Sequence, residues 1–269
     1  MRDDDLLAAS LATEAGRLLL TLRAQGGEPA ALRDAGDRLS HEFLVAELAR
    51  LRPDDAVLSE EGKDDPARLS ADRVWIVDPL DGTREFGEPG RVDWAVHVAL
   101  WERSGAERGQ LTAGAVALPA QDRVLSTAEP IRPPAPRDPL RLLVSRSRPP
   151  EFVTRLADKL GGRLVPLGSA GAKAAAVICG EADAYVHSGG QYEWDSAAPV
   201  AVARSAGLHA SRIDGSELAY NQASPSLPDI LICPAAIAPL LLETIGSVRG
   251  VPPAQATPTP ATSTDPELS

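Results

Sequence analysis

Residues 74–77, Val-Trp-Ile-Val, form an apolar run with the length and branched content of a buried strand, and the run stops on Asp78. Pro79 lacks the amide that a central strand needs, and Gly82 admits backbone conformations that a side chain resists. The strand is therefore expected to end there in a tight turn, with Asp78 and Asp81 at the mouth of a sheet. Two carboxylates three residues apart, beside the Thr83 hydroxyl and free backbone groups, are oxygen donors suited to a hard cation. A solvated acidic turn is the other reading of the same residues, because Asp-Pro and Asp-Gly pairs commonly serve only as turns.

Ahead of this turn, Leu7, Leu11, Leu18 and Leu22 recur at helical spacing over residues 6–22, and Asp3, Asp4 and Asp5 complement the positive end of that helix. Gly26, Gly27 and Pro29 break the chain. A second helix is expected over residues 39–50, with Phe43, Leu44 and Leu48 inward and Asp37 at or just before its start, where an Asp is commonly a cap. Residues 56–59 read as a short strand that delivers Glu60 and Glu61 into a loop before Gly62, and such adjacent carboxylates usually point apart. Residues 63–72 are charged and irregular, and read as a mobile segment.

After the turn, Val92, Trp94, Val96, Val98 and Leu100 alternate with Asp93, Ala95, His97 and Ala99, the pattern of a long half-buried strand. His97 reads there as a packed or hydrogen-bonded histidine. Further strands over residues 111–118 and 123–127 complete a large antiparallel sheet. Residues 131–139 carry Pro133, Pro134, Pro136 and Pro139, a stiff linker that divides the chain into an α+β domain, residues 1–132, and an α/β domain, residues 140–249.

Beyond the linker a strand over residues 140–144 ends in Ser145-Arg146-Ser147, followed by a helix over 149–160 and a strand over 163–166. Small residues at 167–171 then lead into a helix over 172–179, a start that can present backbone N–H groups to an anion. Lys173 lies in its first turn in a chain with three Lys against 24 Arg. It is either a surface lysine or part of a site. A strand follows at 182–187, and Glu193-Trp194-Asp195-Ser196-Ala197-Ala198 opens a helix to about residue 205, with Asp195 placed as an ordinary cap. His209 and Ile213 begin a strand pair, with a last strand at 229–233 and a last helix at 235–245. Residues 250–269 are Pro, Thr, Ser and Ala without periodicity, and read as a disordered tail.

At 269 residues the chain can bury a large core, and its net charge of −11 argues against docking on nucleic acid or an anionic membrane. An anionic substrate would require the site to bring its own positive charge, which bound divalent cations supply. The chain has no run of eighteen or more apolar residues and an acidic start, so a soluble cytoplasmic protein is expected. Cys179 and Cys233, each in an apolar context, read as buried free thiols.

The stretch Asp78-Pro79-Leu80-Asp81-Gly82-Thr83 resembles the signature of the magnesium-dependent, lithium-sensitive phosphatases that include inositol monophosphatase and fructose-1,6-bisphosphatase. The continuation Arg84-Glu85-Phe86, and Glu193 before Trp194-Asp195, resemble the 3′(2′),5′-bisphosphate nucleotidase branch, the CysQ-type enzymes. The resemblance implies an α+β fold, a layered α/β/α/β/α sandwich with the large sheet before the Pro-rich linker and a smaller one after it. It also implies two or three Mg²⁺ ions, inhibited by Li⁺, held by Glu60, Asp78, the Leu80 carbonyl, Asp81, Asp195 and Asp37. Asp37 is reached by counting 23 residues back from Glu60, although Asp34 stands where the family's element has Thr.

Asp37, Glu61 and Thr83 are the expected water-orienting residues; Gly82, Thr83, Arg84, Ser145, Ser169, Lys173 and Asp195 are the expected substrate contacts. Pro199 replaces the family's usual Gly, and is expected to fall within the first helical turn, where Pro is tolerated. The implied reaction is hydrolysis of the 3′-phosphate of adenosine 3′,5′-bisphosphate to AMP, with 3′-phosphoadenylyl sulfate as a related substrate, in sulfate assimilation. Inositol monophosphate or fructose 1,6-bisphosphate is the alternative substrate, and a non-catalytic metal-binding protein the alternative class. The partner is a small phosphorylated nucleotide, and the resemblance allows a homodimer.

Overall fold

The computed structural model describes residues 3–105, 109–147 and 149–250; the remaining residues of the expected tail, 251–269, lie outside them. Two helices, α1 (Asp3–Ala24) and α2 (Pro29–Leu51), precede a five-stranded sheet of order β1-β2-β3-β4-β5. Its strands are β1 (Ala56–Ser59), β2 (Arg73–Asp81), β3 (Ala95–Arg103), β4 (Gly109–Leu118) and β5 (Arg123–Ser126), with a short helix α3 (Thr83–Gly87) after β2. β1 runs parallel to β2 and the other pairings are antiparallel.

The second half comprises β6 (Arg141–Ser145), α4 (Glu151–Leu160), β7 (Arg163–Leu167), α5 (Ala170–Ile178), β8 (Ala184–Tyr192), α6 (Glu193–Ser205), β9 (Leu208–Ser211), β10 (Ser226–Pro234) and α7 (Ala238–Arg249). These strands form a sheet of order β7-β6-β8-β10-β9, with β6 parallel to both neighbours and β10 antiparallel to both of its own. Both sheets have five strands, so the second is not the smaller one by strand number. No helix among the described residues is long and apolar enough to cross a membrane.

Three apolar layers hold these elements together. Ala8, Leu19, Leu44 and Leu48 of α1 and α2 cover Trp75, Val77 and Val98 on one face of the first sheet. On its other face, Ile76, Ala99 and Val116 meet Ala174, Val177, Ala198 and Val202 of α5 and α6, which also pack on Tyr185 and Ile232 of the second sheet. Val153, Leu156, Leu241 and Ile245 of α4 and α7 close the far face over Leu142, Val186 and Leu231. The order is α/β/α/β/α. Each fully buried Leu, Val or Ile in such layers contributes about 1.5–3 kcal/mol.

Four local expectations are corrected. β2 does not stop at Pro79 but runs on to Asp81, with an irregularity in its pairing to β3 between Asp78 and Asp81. Its pairing to β1 ends at Val77, so Pro79 lies where no β1 partner needs its missing amide. β3 begins at Ala95 and is buried on both faces as far as Trp101, because helices cover both sides of the sheet, while Val92 stands exposed before it. α2 starts at Pro29, not residue 39: Pro at the first helical position is pre-set in φ and needs no amide partner. Asp37 is therefore mid-helix and not a cap. Ile213 is buried outside any strand, its N–H donating to Asp229 Oδ1 at 2.9 Å.

Candidate active site

The end of β2 and the starts of α3, α5 and α6 meet at one edge of the middle layer. The irregularity in β2 turns Asp78 and Asp81 inward, where both are buried. Gly82 then adopts φ +84, a left-handed conformation that favours glycine, and a Cβ there would lie 2.8 Å from Ser169 Cβ. Its lack of a side chain lets the turn touch the loop before α5. Thr83 Oγ1 lies 3.0 Å from the Leu80 carbonyl and 3.3 Å from Asp37 Oδ1, so its single proton is shared between two acceptors. Asp37 reaches this point because Gly36 allows α2 to approach closely: a Cβ at residue 36 would lie 2.8 Å from the Phe86 ring.

Asp81 is held by the second half of the chain. Its Oδ1 accepts the Ala170 N–H at 3.1 Å and its Oδ2 the Gly171 N–H at 2.6 Å, so the start of α5 does receive an anion, and that anion is Asp81. His97 Nε2 lies 3.1 Å from Asp81 Oδ2, near enough for charge attraction though not aligned as a hydrogen bond, and His97 Nδ1 contacts the Trp194 carbonyl at 3.0 Å. Asp195 Oδ2 accepts the Tyr192 N–H at 2.7 Å. Asp78, Asp81 and Asp195 thereby each present a ligand atom, all within 4.8 Å of one another.

This crowding shapes the charges. Burial, then the charges of Glu60, Asp81 and Asp195, push Asp78 well above the usual carboxylate range. Asp195 rises to about 7 through burial and the charge of Asp81, against the Tyr192 hydrogen bond. Asp37 rises to about 7 through burial and Glu61, against its bond to Thr83. Glu60 is exposed along its length while its carboxyl end faces the cluster; partial desolvation and the charges of Asp81, Glu61 and Asp37 raise it to about 7, against a hydrogen bond with Asp78. Asp81 alone goes the other way: burial would raise it, but His97, Lys173 and the Gly171 N–H outweigh that and hold it at about 2.

Carboxylates packed this closely cannot all ionise unless positive charge joins them, and an all-oxygen donor set selects a hard divalent cation. The residues present therefore fit Mg²⁺. Glu60 and Glu61 stand exposed at the rim, and the Leu80 carbonyl faces Thr83.

Every expected substrate contact, Gly82, Thr83, Arg84, Ser145, Ser169, Lys173 and Asp195, lines one open cleft of about 450 Å³ together with Asp81. Two of them have structural duties as well. Ser169 Oγ caps α5 by accepting the Ala172 N–H at 2.8 Å. Lys173 is no surface lysine: it is buried, its Nζ donates to the Gly168 carbonyl and, at 2.7 Å, to the Ser169 carbonyl, and burial lowers it to about 8 against the pull of nearby carboxylates. Pro199 is the seventh residue of α6, beyond its first turn. The amide it lacks is the one that would bond the Asp195 carbonyl, so the substitution falls on the residue that closes the cluster.

Sequence reasoning missed the residues that tie these loops together. Arg146 bridges Glu85 at 2.7 Å and Glu88 at 2.9 Å, fastening the segment after the signature turn to β6. Residues 63–72 are anchored at a 3₁₀ turn, Pro66–Ser70, by the buried side chain of Arg68, which donates to Asp64, to Asn221 Oδ1 at 2.7 Å and to the Gln222 carbonyl at 2.9 Å. Glu193 in turn accepts the N–H groups of Asn221 at 2.6 Å and Gln222 at 2.8 Å. A continuous chain of bonds thus joins the Glu60–Glu61 loop to the helix that carries Asp195. Only the rarity of a buried arginine marks it, and burial of Arg68 is not legible in a charged, irregular stretch.

The profile of the inositol monophosphatase family matches residues 8–130 and 140–248. A Mycobacterium leprae protein named 3′-phosphoadenosine 5′-phosphate phosphatase is 52% identical over 255 residues, covering 91% of this chain and 94% of its own. A protein of the same name from Mycobacterium tuberculosis is 54% identical over 241 residues, covering 86% and 89%. Among solved structures, CysQ from Bacteroides thetaiotaomicron superposes with a TM-score of 0.72 at 26% identity, over 87% of this chain and 98% of that one. With its layers, its acidic cluster and its matched length, this chain belongs to the inositol monophosphatase family.

Proposed function

We propose that this chain is a Mg²⁺-dependent, Li⁺-inhibited phosphoric monoester hydrolase that converts adenosine 3′,5′-bisphosphate to AMP and phosphate, and also acts on 3′-phosphoadenylyl sulfate. The observation that carries the reading is the convergence of Asp78, Asp81 and Asp195 beside a cleft lined by all the expected substrate contacts, in a chain more than half identical to proteins named for this nucleotide. The site belongs in sulfate assimilation and nucleotide recycling, in the cytoplasm.

Asp78, Asp81, Asp195 and Glu60 would hold the cations. Magnesium, when bound, supplies electrostatic stabilisation of the phosphate and a more acidic water, the established solution for this slow hydrolysis. The rest of the work belongs to side chains. Thr83 and Asp37 share a proton at the edge of the cleft and would orient the attacking water, with Glu61 close enough that its charge acts on Asp37. Arg84, exposed at the cleft, is the side chain free to meet a second phosphate on the substrate. Asp195, which lines the same cleft, would approach the departing oxygen. No covalent phospho-enzyme is required.

The test is phosphate release in Mg²⁺, with and without Li⁺, from adenosine 3′,5′-bisphosphate, inositol 1-phosphate and fructose 1,6-bisphosphate. A kcat/KM for the nucleotide at least about tenfold above both sugars, lost in Li⁺, is expected; equal or higher values for a sugar phosphate would overturn the substrate.

A further inference from the structure

Within the cleft, one wall is formed by the end of β8. Gln191 lines it and is only 6% exposed. Its Nε2 donates to the Tyr185 hydroxyl at 2.7 Å, but its Oε1, equally buried, has no hydrogen-bond partner among the described residues. Folded proteins seldom keep a buried amide oxygen unpaired unless a ligand or water satisfies it. Tyr185, 1% exposed and lining the same cleft, accepts one bond and keeps its own proton to give. The pair therefore offers the cleft one acceptor and one donor. Turning the amide over exchanges which residue supplies which, and still leaves one of each.

A hydroxyl group, donor and acceptor at once, satisfies both. We propose that Gln191 and Tyr185 form a subsite that reads the sugar hydroxyl next to the scissile phosphate. Both residues line the same cleft as Asp81 and Asp195, two carboxyl groups of the acidic cluster. Tyr185 is buried in the wall of that cleft. Lys173 fixes the ring, its Nζ 5.2 Å from the centroid. In a nucleoside 3′,5′-bisphosphate the hydroxyl beside the 3′-phosphate is the 2′-OH. The inference rests on the nucleotidase reading above, and makes the enzyme selective for ribose over 2′-deoxyribose.

The experiment compares kcat/KM for adenosine 3′,5′-bisphosphate and its 2′-deoxy counterpart, in the wild type, Gln191→Leu and Tyr185→Phe. A site built around a hydroxyl rejects the analogue lacking it, so the wild type should prefer the ribonucleotide by at least about tenfold. In Gln191→Leu that preference should fall to within about twofold, chiefly through loss on the ribonucleotide, while the half-saturating Mg²⁺ concentration stays unchanged. If Gln191→Leu loses its native circular dichroism, Tyr185→Phe carries the comparison, with the same narrowing expected. Equal wild-type values for the two nucleotides, or a preference undiminished in a folded variant, overturn the subsite and leave the nucleotidase reading standing. Failure to hydrolyse either nucleotide in Mg²⁺ overturns the nucleotidase reading, and the subsite with it.

Discussion

At the scale of single residues, the account turns on Asp81, which serves the fold and the site with the same two oxygens. Its carboxylate accepts two amides at the start of α5 and faces the cluster. In Asp81→Asn one of those amides meets an NH₂ group instead of an oxygen. The variant should lose about 1–3 kcal/mol in thermal unfolding and about 100-fold or more in kcat/KM; unchanged turnover would remove Asp81 from the site. Gly171→Ala is a more local test, because its Cβ would overlap His97 Nε2, and overpacking of about 1–3 kcal/mol is expected in urea unfolding. The contrast explains what could be read in advance. Asp78, Asp81 and Thr83 sit within six residues of one turn, so their chemistry is written locally. The closeness of His97, Gly171 and Gln191 to that turn depends on pairings across the whole chain, which no local pattern encodes.

Among the elements, strands and most helices were legible from period and breakers, and the failures share a cause. β3 carries apolar or small residues on both faces, and its alternation with Asp93 and His97 mimics a strand with one wet side. The first ten residues of α2 are weakly patterned because that helix lies half in solvent, so Pro29 read as a break where it is a start. The segment anchored by Arg68 read as mobile because a charged stretch gives no sign that one arginine is buried. That anchor sets a prediction: Arg68→Ala breaks the link between the Glu60 loop and α6, costing about 1–3 kcal/mol and raising the half-saturating Mg²⁺ concentration at least about threefold. Arg68→Lys should restore part of the stability and less of the Mg²⁺ response, because an ammonium cannot reproduce the fork that meets Asp64, Asn221 and Gln222 together. A variant that is destabilised but has wild-type Mg²⁺ dependence would make the anchor purely structural.

For the whole molecule, the layers bring four carboxyl groups with raised pKa together, and this couples stability to both pH and cation. Glu60, Asp37 and Asp195 at about 7, and Asp78 raised well above the usual carboxylate range, bind protons in the metal-free native state that the unfolded chain has already released. Stability of the metal-free protein should therefore be greatest below the unfolded values and fall as pH rises from about 4 to about 7. Asp81 acts in the opposite sense, its contribution being lost only as pH falls toward about 2. Mg²⁺ displaces the shared protons, so saturating Mg²⁺ should flatten the decline in Tm between about pH 5 and 7.5, and Mg²⁺ binding should release protons near neutrality. A decline in Tm that Mg²⁺ leaves unchanged would separate the acidic cluster from the cation.

The central claim is that the cluster at the end of β2 is the cation site, and anomalous diffraction from crystals soaked in Mn²⁺ tests it most directly. Peaks within coordination distance of Asp78, Asp81 and Asp195, with the Glu60 carboxyl also in reach, are the predicted result. Anomalous density elsewhere with none at this cluster, in a protein whose phosphatase activity Mn²⁺ supports, would contradict it.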